Sequence, residues 1–383
     1  MVKEYKKDKT MKINDACDYL IHLIACAIQN ETPEPLPYGI EYEQVLSCAV
    51  GHDVAGFAYL GVMRAETKPD ADTLNKWKQR YLLGINRHSE QEETRKKLLS
   101  ALHEKGIATL EIQGTRVKEY YPSPDLRMMS DIDVIIEKEY IPEAEKILKN
   151  LGYKTSGKGG FEVSGHRKGI HIEIHTDFFL KSHKYAGILS DPFGLATVNR
   201  DYTATVPDTV FWAYHLLHCL KHYYSKGIGL RRVLDLYFLA PEMAKTADAG
   251  YIDKLLKENG LYEDVKDIFA VSKYWFDSIE PDRDIEDKIG IIKNAGTHGN
   301  MKLYYNNKFA GMRKEGKHFV KLRCFLSLVF PSKNSIYNAY PVCEKHHFPY
   351  PMAWLCRTIR ILFKPGRLMR HIRDFRNAKA KTL

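Results

Sequence analysis

The stretch RMMSDIDVIIEKE (residues 127–139) puts two aspartates, Asp131 and Asp133, at the head of an apolar run. Side chains two apart on a strand point to the same side. Asp131 and Asp133 therefore share one face, with Ile132 and Val134 on the other. Neighbouring carboxylates repel each other and are costly to desolvate. A divalent cation relieves both costs. Mg²⁺ prefers oxygen ligands and commonly takes one or two carboxylates together with substrate phosphates. Two such ions can stabilise the attacking and leaving oxygens of a phosphoryl displacement. On those two residues alone a solvated strand end is the simpler reading, and the flanking sequence decides.

Downstream, GIHIEIHTDF (169–178) alternates strictly. Ile170, Ile172 and Ile174 form one face; His171, Glu173, His175 and Asp177 form the other. If this strand pairs beside the Asp131 strand, Glu173 joins the aspartates as a third carboxylate. It would then hold a metal or take a proton from an incoming hydroxyl. His-x-Glu-x-His also suggests zinc, but residues i and i+4 of a strand lie about 13 Å apart, too far for all three to bind one ion. Upstream, IQGTR (112–116) reads as a strand entering a glycine turn and a helix, which presents backbone N–H groups to an anion. Gly114 admits close approach of a phosphate and Thr115 offers a hydroxyl. Such a turn is common and carries little by itself.

The wider pattern frames these pieces. Residues 13–60 have helical spacing, with Asn14 as a cap; ETPEPLPYG is a link; a long polar helix covers about 72–105 and ends at Gly106. From 107 the pattern is strand, helix, strand, helix, strand, a small α/β unit of about 100 residues. Helices resume near 207 with HLLHCLKH and RRVLDL, followed by a mixed C-terminal stretch with a Pro- and Tyr-rich loop near 331–351. The expected segments are an N-terminal helical region (1–105), a catalytic core (106–205), a helical domain (206–300) and a C-terminal extension with a basic helix (301–383).

Composition narrows the classes. The chain has 383 residues, 44% hydrophobic and 28% charged, ordinary for a folded protein. Its longest apolar segment, YLIHLIACAI, is too short to span a bilayer, so no stable membrane insertion is expected, and the charged first residues do not read as a signal peptide. Seven scattered cysteines without a CxxC pair read as reduced thiols, which argues for a cytoplasmic protein and against a cysteine zinc site. The net charge of +10 sits at the ends: Arg357 onward carries +8 and residues 1–12 carry +3, leaving the middle near −1. That distribution is not a basic nucleic-acid-binding face.

Taken together, these features resemble the nucleotidyltransferase superfamily of DNA polymerase β, and more closely the bacterial nucleotidyltransferase family NTP_transf_5. The resemblance runs through IQGTRVKEYYPSPDLRMMSDIDVII, Leu151-Gly152-Tyr153, IEIH (172–175), HLLHCLKH and RRVLDL, and is strongest over 106–240. It implies an α+β fold: a small mixed polymerase β-like sheet with helices, flanked by helical regions at both ends. It implies a Mg²⁺- or Mn²⁺-dependent enzyme that moves an NMP from an NTP, taken as ATP, to an acceptor and releases pyrophosphate. Asp131, Asp133 and Glu173 would be the catalytic and metal-holding residues; Gly114, Thr115 and Arg127 would receive the phosphates. The acceptor, a protein, a small molecule or RNA, stays open.

Two departures matter. Gln113 stands where the family more often has lysine, and Thr115 where the superfamily often has serine or glycine. Arg116 or Lys118 could stand in for the lysine. Gln113 also keeps alive a catalytically silent nucleotide-binding or scaffold module. His215, His218 and His222 share one helix face, which suits a metal site, a lining of the cleft or plain packing. Arg231, Arg232 and Asp235 read either as a pair fixing the helical domain or as a phosphate contact. The basic helical stretch after Trp354 suits an anionic membrane, RNA or an acidic flank of the protein itself, and its aromatic and aliphatic content favours packing on the protein with its charges outward.

Overall fold

A computed structural model of the chain describes residues 13–378 apart from 159–161, 181–182, 315, 317, 334–335, 337–349 and 363–364. The basic residues 1–12 and most of the Pro- and Tyr-rich loop lie outside the described residues.

Four helices come first: α1 (Ala16–Gln29), α2 (Tyr42–Gly51), α3 (Ala55–Arg64) and the long α4 (Ala71–His103). Asp15, not Asn14, caps α1, because its carboxylate accepts the free N–H groups of Cys17 and Asp18, each at 2.9 Å. Gly106, at φ +70°, closes the chain after α4, as the sequence indicates.

The sheet follows. β1 (Thr109–Glu111) runs into the one-turn helix α5 (Gly114–Val117). Two 3-10 turns, Lys118–Tyr120 and Pro124–Leu126, lead to β2 (Asp131–Ile135). Then come α6 (Ile141–Asn150), β3 (Lys154–Lys158), β4 (Glu162–Arg167), β5 (Ile170–His175), the short α7 (Pro192–Leu195), β6 (Thr197–Val198) and β7 (Thr203–Thr205). The described strands form one mixed sheet in the order β3-β4-β5-β2-β1-β7-β6. β2 lies antiparallel to β1 and parallel to β5. The hairpin β3–β4 and the strands β6 and β7 extend the sheet beyond the three strands read from the sequence. KTSGK and EVSGHR lack the apolar alternation that marks a strand, and β6 and β7 are too short to show any.

α8 (Asp208–Lys226), α9 (Leu230–Thr246), α10 (Ala249–Glu258), α11 (Tyr262–Asp277) and α12 (Glu286–Ala295) form the helical part, and α13 (Met301–Lys314), α14 (Val320–Val329), α15 (Tyr350–Leu362) and α16 (Pro365–Asn377) follow. The fold is therefore α+β, a mixed sheet flanked by helices. No helix among the described residues is long and apolar enough to cross a membrane.

Among the described residues, three apolar cores hold these parts. Ile132, Val134, Ile172 and Ile174 pack with Leu98 and Leu102 of α4 and Ala144, Ile147 and Leu148 of α6, which cover one face of the sheet. A larger core draws on residues between Cys17 and Ile292 and joins α1–α3 to the sheet and to α8–α12. The third gathers Tyr305, Phe309, Val320, Cys324 and Ala378, and Phe375 of α16 stacks edge-on against Phe309. Burial of the β2–β5 isoleucines and valine against α4 and α6 leaves the opposite face of those strands, with its carboxylates, toward α8 and α9.

Candidate active site

Register fixes the carboxylates. β2 and β5 pair with Asp131 opposite His171, Ile132 opposite Ile172 and Asp133 opposite Glu173. In a parallel pair, opposed residues project to the same side, so Asp131, Asp133, Glu173, His171 and His175 share one face. The condition set by the sequence, a β5 strand beside β2, is met. Ligand atoms of Asp131, His171 and Glu173 lie within 4.8 Å of one another, as do those of Asp133, Glu173 and His175. Glu173 belongs to both sets. The two histidines thus divide between the sets, in keeping with the distance that kept both from one ion with Glu173.

His175 Nε2 lies 3.2 Å from Asp133 Oδ1 and 3.6 Å from Glu173, and His171 Nε2 lies 3.6 Å from Glu173. Burial, and then the Asp133 charge, push Asp131 up to about 6. The same causes push Glu173 up to about 7. Burial pulls the His175 pKa down, but its hydrogen bond to Asp133 and the surrounding carboxylates outweigh this and raise it. Without a cation the acids strain against one another. In metal-free protein at pH 8, Asp131→Asn is expected to raise the melting temperature by about 2 °C, the scale of a 1 kcal/mol relief. A clear drop would show that repulsion does not dominate at this position.

The glycine turn sits beside these strands. Gln113 enters it at φ +54°, ψ −129°, a conformation that costs a non-glycine residue of order 1–3 kcal/mol. Its side chain acts on the buried hydroxyl of Tyr214 on α8, opposing the rise that burial imposes there. At Gly114, a Cβ would stand 2.6 Å from Arg127 Nη1 and 3.2 Å from Met129 Sδ, so only glycine fits. Thr115 is buried, and its Oγ1 has no hydrogen-bond partner among the described residues. An unpartnered hydroxyl, a turn kept open by glycine and two carboxylate sets on one face are the features that a cation-bound triphosphate would satisfy.

Arg127 is placed differently from the expectation. Its Nε and Nη2 grip Asp235 of α9 at 2.7 and 2.8 Å, and Tyr121 donates to the same carboxylate at 2.7 Å. Asp235 is fully buried. Burial would raise its pKa, but the Arg127 charge and hydrogen bonds hold it down to about 2. With its Nε–Nη2 fork taken by Asp235, Arg127 cannot grip a phosphate with that pair; Nη1 faces the Gly114 turn. The loop before β2 is pinned from both sides: Gln91 of α4 donates to the Met129 carbonyl at 3.2 Å, and Arg231 of α9 to that of Met128 at 2.9 Å.

Neither cation offered for the missing lysine is free. Arg116 pairs with Asp208, and Lys118, buried, pairs with Glu92. Cations whose charge acts on the carboxylates come instead from α8 and α9. Burial and the charge of Arg232 pull the Lys221 pKa down, while Asp133, Glu173 and Glu162 pull it up, so its ammonium lies in the field of the acids. Arg232 is likewise felt at Asp131. Its Nη1 donates to His218 Nδ1 at 3.3 Å, which leaves the His218 Nε2 proton for His222 Nε2, also at 3.3 Å. Burial keeps His215, His218 and His222 below their ordinary pKa, hence uncharged at neutral pH. These three form no three-ligand group among the described residues. Lys221 could have been found in HLLHCLKH, where it lies three residues after His218 and seven after Tyr214, on one helix face.

Residues 39–277 match the family model NTP_transf_5, described as uncharacterised nucleotidyltransferase. Among solved structures, the chain is similar to the antibiotic-resistance factor ANT(2'')-Ia at 11% identity and a TM-score of 0.34, over 46% of this chain and 96% of that one. At that score the likeness carries no argument about the site. No curated protein matches.

Proposed function

Because the chain belongs to the NTP_transf_5 family of nucleotidyltransferases, we propose that it moves an NMP unit from a Mg²⁺- or Mn²⁺-bound NTP, ATP in the first instance, to an acceptor hydroxyl or phosphate, with release of pyrophosphate. The observation that carries this reading is the parallel register of β2 and β5, which gathers Asp131, Asp133 and Glu173 on one face. Those three would hold the divalent cation, which supplies charge neutralisation and Lewis acidity at the phosphates.

The remaining work belongs to the chain itself. The turn at Gly114 admits the phosphates, and the Thr115 hydroxyl donates to one of their oxygens. Lys221 and Arg232 face the triphosphate from α8 and α9. Arg127 is a positioning residue: it ties the turn and the β2 loop to α9 through Asp235. Glu173 accepts the proton of the acceptor hydroxyl as its oxygen bonds to the α-phosphorus and the bond from that phosphorus to the pyrophosphate oxygen breaks.

Charge-assisted contacts to phosphate are worth about 1.5–3 kcal/mol. Lys221→Met is therefore expected to raise KM for the NTP roughly 10- to 100-fold, with a smaller change in kcat. An unchanged KM would remove Lys221 from the phosphate site.

The reaction itself is tested by incubating the protein with α-labelled NTPs, Mg²⁺ or Mn²⁺ and cell extract. The expected result is a metal-dependent labelled product and free pyrophosphate, both absent with Asp131→Asn. The nature of the labelled product, protein, small molecule or RNA, then identifies the acceptor. Metal-dependent NTP binding without pyrophosphate release would favour the silent module instead.

A further inference from the structure

Near the N-terminus of α9, Cys17 at the start of α1, Cys48 near the end of α2 and His52 just beyond it bring their ligand atoms within 4.8 Å of one another. Two sulfurs and an imidazole invite a metal reading. The hydrogen bonding of His52 opposes it. The backbone N–H of Leu230 donates to His52 Nδ1 at 3.1 Å, so that nitrogen carries the lone pair and the proton sits on Nε2. A protonated nitrogen cannot ligate a metal. The ring cannot readily exchange its nitrogens either: it is 3% exposed, and a Cβ on Gly229 would stand 2.8 Å from Nδ1. What remains to His52 is a donor, and its ring lies beside the Cys48 sulfur.

The two sulfurs are unequal. Cys48 is partly exposed and Cys17 is buried. The neighbouring Cys17 thiol, with the His52 ring, holds Cys48 well below the usual thiol range, while Cys17 is held above it by the nearby Cys48 sulfur and by burial. This is the arrangement of a reactive thiolate beside a resolving thiol.

We propose that Cys48 and Cys17 are an oxidisable pair, in which a peroxide attacks at Cys48 and Cys17 closes a disulfide between α1 and α2. The Cys48 thiolate sulfur attacks a peroxide oxygen and the O–O bond breaks. Cys48 becomes a sulfenic acid and hydroxide, or the alkoxide of an organic peroxide, leaves. The Cys17 thiol gives up its proton and its sulfur attacks that of Cys48; the S–O bond breaks and water leaves. The two thiols together lose two electrons, which reduce the peroxide. Rotation of the two side chains brings the sulfurs into bonding range.

The test treats the full chain with hydrogen peroxide, alkylates the remaining thiols and maps cysteines by mass spectrometry. The expected product is a Cys17–Cys48 cross-linked peptide, two hydrogens lighter than its parts, formed on the order of tenfold faster than exposed Cys356 oxidises. In Cys17→Ser the reaction should stop at a Cys48 sulfenic acid that dimedone captures. Oxidation of Cys356 with no Cys17–Cys48 link would overturn the proposal, as would dimedone labelling of Cys17 in Cys48→Ser but none of Cys48 in Cys17→Ser. Retention of one equivalent of Zn²⁺ that shields both thiols from peroxide would overturn it in favour of a metal site.

Discussion

Glu173→Gln is expected to lower kcat by about 10²–10⁴ while weakening Mg·NTP binding far less, the signature of a lost general base. Glu173 lies on β5 and completes both ligand sets, whereas Asp131 and Asp133 share β2. The aspartates act on the triphosphate side, so Asp131→Asn and Asp133→Asn should depress binding and turnover together. Glu173 acts on the side of the attacking group, so its loss falls on the chemical step. Steady-state kinetics beside equilibrium Mg·NTP titrations separates the cases. Normal turnover by Glu173→Gln would exclude it as the third acid.

The second large effect concerns stability. Asp235→Asn should cost about 3–5 kcal/mol, because it leaves the buried Arg127 guanidinium without its counter-charge. Tyr121 would keep a weaker acceptor, and the tie between the β2 loop and α9 would loosen. Replacing both partners, Arg127→Met with Asp235→Leu, should recover much of that loss. The double variant also separates two roles for Arg127. If Arg127 only positions the loop, a refolded double variant keeps most of its NTP affinity; if it binds phosphate, affinity falls even where stability returns. Denaturant melts and NTP titration on the same samples decide between them.

The site was more legible in the sequence than the contacts around it. Asp131, Asp133 and Glu173 show themselves because alternation along SDIDVII and GIHIEIHTDF assigns each side chain a face. Their being neighbours was conditional, since strand pairing is not written in either segment, and only the β2–β5 register meets the condition. Arg127 was placed with the phosphates because its partner lies 108 residues away. A guanidinium has no local sign of what it grips. Lys221 was hidden by the histidines around it, whose spacing drew attention to metal rather than to the cation between them. The β3–β4 hairpin was missed because its serines and glycines carry no hydrophobic period.

The most direct test of the account is calorimetric titration of a non-hydrolysable NTP analogue into wild type, Asp131→Asn and Asp133→Asn, each with Mg²⁺ and with chelator. The account predicts tight binding by wild type only with Mg²⁺, and a loss of about tenfold or more in either variant, the scale of one charge-assisted contact. Equal affinity in all three proteins, with and without metal, would contradict it and leave SDIDVII a polar strand end.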